Sequence, residues 1–164
     1  MGIRAGHLSD SSVIAHRLAD VRSVIVASPD YLKAHRTPQQ PDDLLGHNCL
    51  HYTYSRDPKE WVFSGLEGEI AVKTRGTLRI NNSEALCKAL MDGLGIGRLP
   101  TFVASSHIQS GQLVRLLPEY ALPEQALYAI FPERSHVPAK VRAFTDHLVD
   151  RLGGDIASWD KLQS

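Results

Sequence analysis

Apolar and polar positions along the chain alternate in short bursts, each closed by Pro, Gly or a polar cluster. Val24-Ile25-Val26-Ala27 is a β-branched run bounded by Ser28-Pro29, which predicts a buried strand. Leu127-Tyr128-Ala129-Ile130-Phe131, closed by Pro132, predicts another. Between them, shorter strand patterns fall at residues 49–54, 61–63, 69–73, 77–80 and 113–117. Residues 69–73 alternate polar and apolar, as on a half-buried strand. Residues 13–18 fit a strand or a helix equally. Helix signals are interspersed. Pro29 opens a short helix through His35, and Pro41 heads a single helical turn. Asn82 stands before Ser83-Glu84-Ala85-Leu86, where its side chain can accept from an unpaired N–H of the first turn. Ala85, Leu86, Ala89 and Leu90 form one apolar face, and Gly93 takes the C′ position. Ser105-Ser106 and Gly111 bracket another short helix. From Pro138 onward, Val141, Phe144, Leu148 and Leu152 are spaced by three, four and four, one face of a helix. Gly153-Gly154 stops it, and residues 153–164 read as a flexible tail. Strands interleaved with helices predict an α/β architecture with open, mixed sheets.

Composition narrows the function classes. The 164 residues are 43% apolar and 22% charged, an ordinary globular balance. Eighteen Lys and Arg offset eighteen Asp and Glu, for a net charge of +0. A broad grip on nucleic-acid phosphates needs an excess of cations, so no such footprint is expected here. Cys49 and Cys87 sit in no C-x-x-C pattern and read as cytosolic thiols. No apolar run is long enough to span a membrane, and the first residues show no signal-peptide core. The expected compartment is the cytoplasm.

Three constellations invite chemistry. His47-x-Cys49-x-His51 would share one face of a strand, but no further ligand completes a metal set. Gly93-x-Gly95-x-Gly97 follows a helix and precedes a strand, whereas a phosphate loop needs strand, glycines, then helix. A helix C-cap with a close backbone approach is the better reading. No G-x-S-x-G elbow and no coherent catalytic set is present, so no enzyme and no cofactor are expected. Asn82-Ser83, at a helix start just after a strand, offers N–H donors, a positive dipole end and a hydroxyl. Such an end can hold a carboxylate; on these residues alone an ordinary cap explains it as well.

Read in order, several segments resemble the C-terminal effector-binding domain of LysR-type transcription regulators. They begin with Ile3-Arg4-x-Gly6-x-Leu8-x-Asp10-Ser11-Ser12-x-Ile14-Ala15-x-Arg17-Leu18 and Ala27-Ser28-Pro29-x-Tyr31-Leu32. Asp43-Leu44, His47-x-Cys49-Leu50, Trp61-x-Phe63 and Asn81-Asn82-x-Glu84-Ala85-Leu86 follow. Then come Gly93-Leu94-Gly95-Ile96-Gly97-x-Leu99-Pro100 and Gly111-x-Leu113-Val114-x-Leu116-Leu117-Pro118. Tyr128-Ala129-x-Phe131-Pro132 and Pro138-x-Lys140-Val141-Arg142-Ala143-Phe144 complete the succession. No single piece is specific; their ordered run over residues 3–152 is.

The resemblance implies a periplasmic-binding-protein-like (type 2) fold of two α/β lobes. Residues 1–29 and 126–152 would belong to an incomplete first lobe, and residues 30–125 to the second. The crossovers would fall near residues 26–29 and 127–130. It further implies a small, polar or anionic effector in a cleft between the lobes. Ala5, Gly6 and His7 would line one side. Ile80, Asn82, Ser83, Gly97, Arg98, Leu99, Pro100 and Thr101 would line the other. Members of that family bind DNA through an N-terminal winged helix-turn-helix and form homo-oligomers; that helix-turn-helix is missing from these residues, which read as an N-terminally truncated piece. No membrane partner is implied. The alternative is a solute-binding receptor lobe serving small-molecule uptake.

Overall fold

The β-branched run at residues 24–27 becomes the strand around which half of the protein is built. The computed structural model describes residues 2–6, 13–53, 57–66, 68–132, 139–152 and 160. In chain order they form β1 (Gly2–Gly6), β2 (Val13–Val21), β3 (Ser23–Ala27), α1 (Pro29–Ala34) and a 3-10 helix (Pro41–Gly46). Then follow β4 (Cys49–Tyr52), β5 (Glu60–Gly65), β6 (Gly68–Lys73), β7 (Arg79–Ile80), α2 (Ser83–Met91) and β8 (Ile96–Pro100). The last are α3 (Thr101–Gln109), β9 (Val114–Leu116), β10 (Gln125–Pro132) and α4 (Ala139–Leu152). The chain divides into two units, Met1–Arg22 with Glu124–Ser164, and Ser23–Pro123. The divisions fall after Arg22 and Pro123, about seven and two residues before those expected; the first moves because β3 pairs along its whole length within the second unit.

In that second unit a five-stranded sheet runs in the order β7-β4-β8-β3-β9. β7, β4 and β8 are mutually parallel, while β3 is antiparallel to both β8 and β9. The period-2 alternation of β3 sends successive side chains to two cores. Val24 and Val26 pack with Leu86, Cys87 and Leu90 of α2, Leu99 of β8 and Ala104 of α3. Ile25 and Ala27 pack on the opposite face with Tyr31, Leu44, Trp61, Phe63 and Val72. Helices α2 and α3 thus cover one face. Helix α1, the 3-10 helix and the β5–β6 hairpin cover the other.

The first unit holds the sheet β1-β10-β2, all antiparallel. Residues 13–18, open between strand and helix in sequence, lie within β2 and pair with β10. Leu18, Ala129 and Phe131 form its core against Val141, Leu148 and Val149 of α4. Phe144, expected on the packed face, is 47% exposed, whereas Thr145 is buried. The packed stripe is centred between Val141, Thr145 and Leu148, so Phe144 falls on its flank. The Thr145 hydroxyl satisfies itself by donating to the Val141 carbonyl at 2.9 Å. The expected flexible tail lies outside the described residues, Asp160 apart. Helix α3 begins at Thr101, directly after Pro100, four residues before the expected Ser105. Proline serves there as the residue that ends β8 and enters the helix.

Candidate ligand site

The chain leaves β7 into α2 and β8 into α3. Because β7, β4 and β8 are parallel, their C-terminal ends and the N-termini of both helices share one edge of the sheet. In open α/β sheets this edge, where connections diverge, is where ligands are held. Ile80, Asn82, Ser83, Pro100 and Thr101 all stand along it. Ile80 pairs with Tyr52 and packs against the α2 side. Asn82 has extended backbone, and its Oδ1 accepts the Ala85 N–H at 2.9 Å, leaving its amide nitrogen as the outward donor. Ser83, half-buried, is the first residue of α2. Helix α3 has no side-chain cap, because Pro100 precedes it; Thr101 is 2% exposed. Two positive helix ends therefore meet one sheet edge.

The remaining candidates divide by face. Gly97 and Leu99 turn toward α2. Leu99 is fully buried in that core, and a Cβ on Gly97 would stand 2.6 Å from Leu90 Cδ1. Arg98 points to the other face, where a guanidinium N–H donates to the Pro123 carbonyl at 3.5 Å. Burial pushes its pKa down. Ala5 and Gly6 lie in β1 of the first unit, paired with Leu127 and Ala126. His7 lies outside the described residues.

The glycine triplet is architectural. Gly93 ends α2 with φ +79°, a left-handed conformation that glycine adopts freely. A Cβ on Gly95 would stand 2.2 Å from the Asn48 carbonyl oxygen. The three residues of the His-x-Cys-x-His pattern each have a separate task. His47 Nδ1 meets the Tyr31 hydroxyl at 3.2 Å. The Cys49 thiol donates to the Leu44 carbonyl at 3.6 Å, and burial pushes its pKa up to about 12. His51, 1% exposed, lies 2.8 Å through Nε2 from Thr74 Oγ1, which itself donates to the Lys59 carbonyl at 2.9 Å. With the hydroxyl proton so committed, the network assigns His51 as the neutral Nε2–H tautomer.

Residues 1–153 match the family model for the LysR substrate binding domain. The chain belongs to this LysR family. Its mixed α/β fold is the periplasmic-binding-protein-like type 2 fold of LysR regulatory domains. The chain is similar to the HTH-type transcriptional regulator PtxR of Pseudomonas aeruginosa, 37% identical over 153 residues, covering 93% of this chain and 49% of that protein. It is 32% identical over 157 residues to the regulator CrgA of Neisseria meningitidis serogroup C, covering 95% of this chain and 52% of CrgA. The solved CrgA regulatory domain superposes with a TM-score of 0.79 at 32% identity, over 92% of this chain and 74% of that one. The regulatory domain of AphB from Vibrio vulnificus, treated with cumene hydroperoxide, gives 0.72 at 31% identity, over 90% and 73%. The LysR domain thus spans about half the length of the PtxR and CrgA regulators. No helix among the described residues is long and apolar enough to cross a membrane.

Two features of this LysR domain escaped sequence reasoning. Asn48 clasps both flanking loops: its Nδ2 donates to the Leu94 carbonyl at 2.7 Å, and its Oδ1 accepts the Thr77 N–H at 2.9 Å. Gly76 lies so close to β4 that a Cβ would stand 1.7 Å from the Cys49 carbonyl oxygen. A lone glycine ahead of a strand signals such a close approach, and it was the one available clue.

Proposed function

We propose that this chain is the effector-sensing domain of a LysR-type transcription regulator. In this reading it holds a small, anionic molecule at the C-terminal edge of β7, β4 and β8. The observation that carries the proposal is the meeting of the α2 and α3 N-termini on that edge. Backbone N–H groups and aligned dipoles there favour a carboxylate or similar anion. Ser83 adds a hydroxyl, Asn82 an amide donor, and Ile80 an apolar floor. None of these groups activates a nucleophile, so the site reads as one that binds without turnover. That the matched relatives are transcription regulators favours sensing over delivery for uptake.

In the whole regulator, effector occupancy would bias the arrangement of subunits and so the pairing of DNA-binding domains. DNA contact would fall to a winged helix-turn-helix outside these residues, in keeping with their net charge of +0. Homo-oligomers in the cytoplasm are the setting this mechanism requires.

The test is a melting-temperature screen with small carboxylic acids and matched neutral analogues. A bound ligand stabilises by mass action, about 2.7 kcal/mol at a hundredfold excess over Kd. A stabilising acid should bind more weakly to Ser83→Ala. A panel in which nothing shifts the melting temperature would count against the reading, and unchanged affinity in Ser83→Ala would reject the anchoring role of Ser83.

A further inference from the structure

Ahead of β4 stands a pair of histidines, both held by one tyrosine. His35 caps the C-terminus of α1, and His47 follows the 3-10 helix just before β4. Tyr31, a buried residue of α1, sets both rings. The His35 ring stacks on the Tyr31 ring, with centroids 4.1 Å apart and planes 14° from parallel. His35 Nδ1 lies 3.0 Å from the Tyr31 carbonyl, which also accepts the His35 backbone N–H at 3.0 Å. A carbonyl only accepts, so Nδ1 carries the proton and Nε2 of the neutral ring keeps its lone pair. His47 Nδ1 stands 3.2 Å from the Tyr31 hydroxyl. That hydroxyl already accepts the Asn48 N–H at 3.2 Å, and its second lone pair can accept a proton from His47 Nδ1. In that tautomer the Nε2 lone pair of His47 is free as well.

Histidines that hold metal ions characteristically donate their other ring N–H to a carbonyl or a comparable acceptor, which fixes tautomer and ring orientation. Tyr31 offers such an acceptor to both rings, its backbone carbonyl to one and its hydroxyl to the other. The two ring centres stand 6.4 Å apart, tilted by 54°. Imidazoles sharing one ion through metal–nitrogen bonds of about 2.0–2.1 Å have ring centres roughly 5–6.5 Å apart. His35 is exposed and His47 half-buried, so an ion reaches the pair from solvent. Asp43 lies within electrostatic reach of His47. Its carboxylate accepts the Gln39 and Gln40 N–H groups at 2.8 and 3.1 Å, and adds negative charge without serving as a ligand. No group of three or more His, Cys, Asp or Glu side chains gathers among the described residues, so water would complete the coordination. Imidazole ligands suit Zn2+, Cu2+ or Ni2+, whereas Mg2+ and Ca2+ take oxygen ligands.

We propose that His35 and His47 together bind one Zn2+ ion through their Nε2 atoms, with Tyr31 as the positioning residue for both rings. The ion ties the end of α1 to the start of β4 across the loop that carries Pro38 and Pro41. This is the opposite end of β4 from the edge proposed to hold an effector, so the two readings stand or fall separately. Zinc bound to the folded chain stabilises it by mass action, which makes the second unit responsive to metal supply.

The test uses the untagged whole chain and zinc chloride as the probe, with magnesium chloride as the control. Histidine ring nitrogens are followed by multiple-bond proton–nitrogen NMR. The His35 and His47 Nε2 resonances should shift together, saturate at one zinc per chain, and stay still with magnesium. His35→Gln should abolish the response of His47, and His47→Gln that of His35. Tyr31→Phe keeps the ring and loses the hydroxyl, and should weaken zinc binding about 10-fold to 100-fold. Zinc should raise the melting temperature of the wild type and not that of His35→Gln. Melting temperatures without zinc separate lost folding from lost binding; His35 is exposed, and if a variant still fails to fold, the joint wild-type response decides. Zinc shifts at other histidines with these two silent would overturn the proposal. So would a response at either ring that survives undiminished when its partner is replaced, since that is binding to a lone histidine. Unchanged zinc affinity in Tyr31→Phe would overturn the positioning role of the hydroxyl.

Discussion

Replacing Gly97 by alanine puts a methyl group where Leu90 already sits. The added Cβ would stand 2.6 Å from Leu90 Cδ1, 3.0 Å from Cδ2 and 3.2 Å from Cγ. Leu90 is wholly buried, so it can yield only by straining a packed core. Overpacking of this kind costs about 1–3 kcal/mol. Reduced freedom of the unfolded chain returns about 0.4–1 kcal/mol, because Gly97 does not need a left-handed backbone. The net expectation for Gly97→Ala is a loss of about 1–2 kcal/mol. Leu90→Ala alone leaves a cavity and costs about 2–5 kcal/mol. Together the two should not add, because the new methyl enters the space the leucine vacated. The double variant should be more stable than the sum of singles predicts by about 1–2 kcal/mol, within the range seen for touching residues. Urea unfolding followed by Trp61 fluorescence, in a Trp159→Phe background, measures this; Trp61 is buried in the same unit. Additivity of the two substitutions, or a neutral Gly97→Ala, would refute the close-packing role and reopen a ligand-facing one.

Three further outcomes follow from the same geometry. His51 has its pKa lowered, first by burial and then by Arg79 and Lys59, while the unfolded histidine titrates near 6.5 (about the free value). The unfolded chain therefore takes up the proton first, so stability is fully present above about pH 6.5 and is lost as pH falls through the lower folded value. His51→Gln should flatten that slope in urea midpoints compared between pH 5 and 7.5, where a slope identical to wild type would remove His51 as a cause. Asn82→Ala should cost about 1 kcal/mol as a lost cap, whereas Asn82→Asp should keep helix stability yet repel an anionic ligand, a split visible by melting with and without a carboxylic acid that stabilises the wild type. The first unit leaves Ile3 of β1 and Phe144 of α4 half-exposed around a three-stranded sheet, so far-UV circular dichroism should report an unfolding step earlier than Trp61 does; coincident transitions would count against a weaker first unit.

Much of the second unit was legible in the sequence because its signals are local. The Val24–Ala27 run, the Asn82 cap and the Gly93 terminator each act within a few residues, and each formed as expected. What escaped depends on partners distant in sequence. Asn48 reads as one polar residue between a histidine and a cysteine, yet it bridges Thr77 and Leu94 across 29 and 46 positions. Phe144 fits the helical period, but which flank of the stripe is packed depends on how α4 lies on β2, which periodicity does not contain. For the site, the Asn82-Ser83 end was visible as a capped helix. That α3 brings a second N-terminus to the same edge was not visible, because the helix was expected to start four residues later. The resemblance sets Arg98 with Gly97 and Leu99 on one side of a cleft, whereas strand alternation turns it to the opposite face from both.

The measurement that bears most directly on the account is an amide chemical-shift map of the whole chain, titrated with whichever carboxylic acid most raises its melting temperature. The account predicts saturable shifts concentrated at Ser83, Glu84 and Ala85 of α2 and at Thr101 and Phe102 of α3, with the β5–β6 hairpin unmoved. Saturable shifts centred on the hairpin or on α1, with the α2 and α3 N-termini silent, would contradict it.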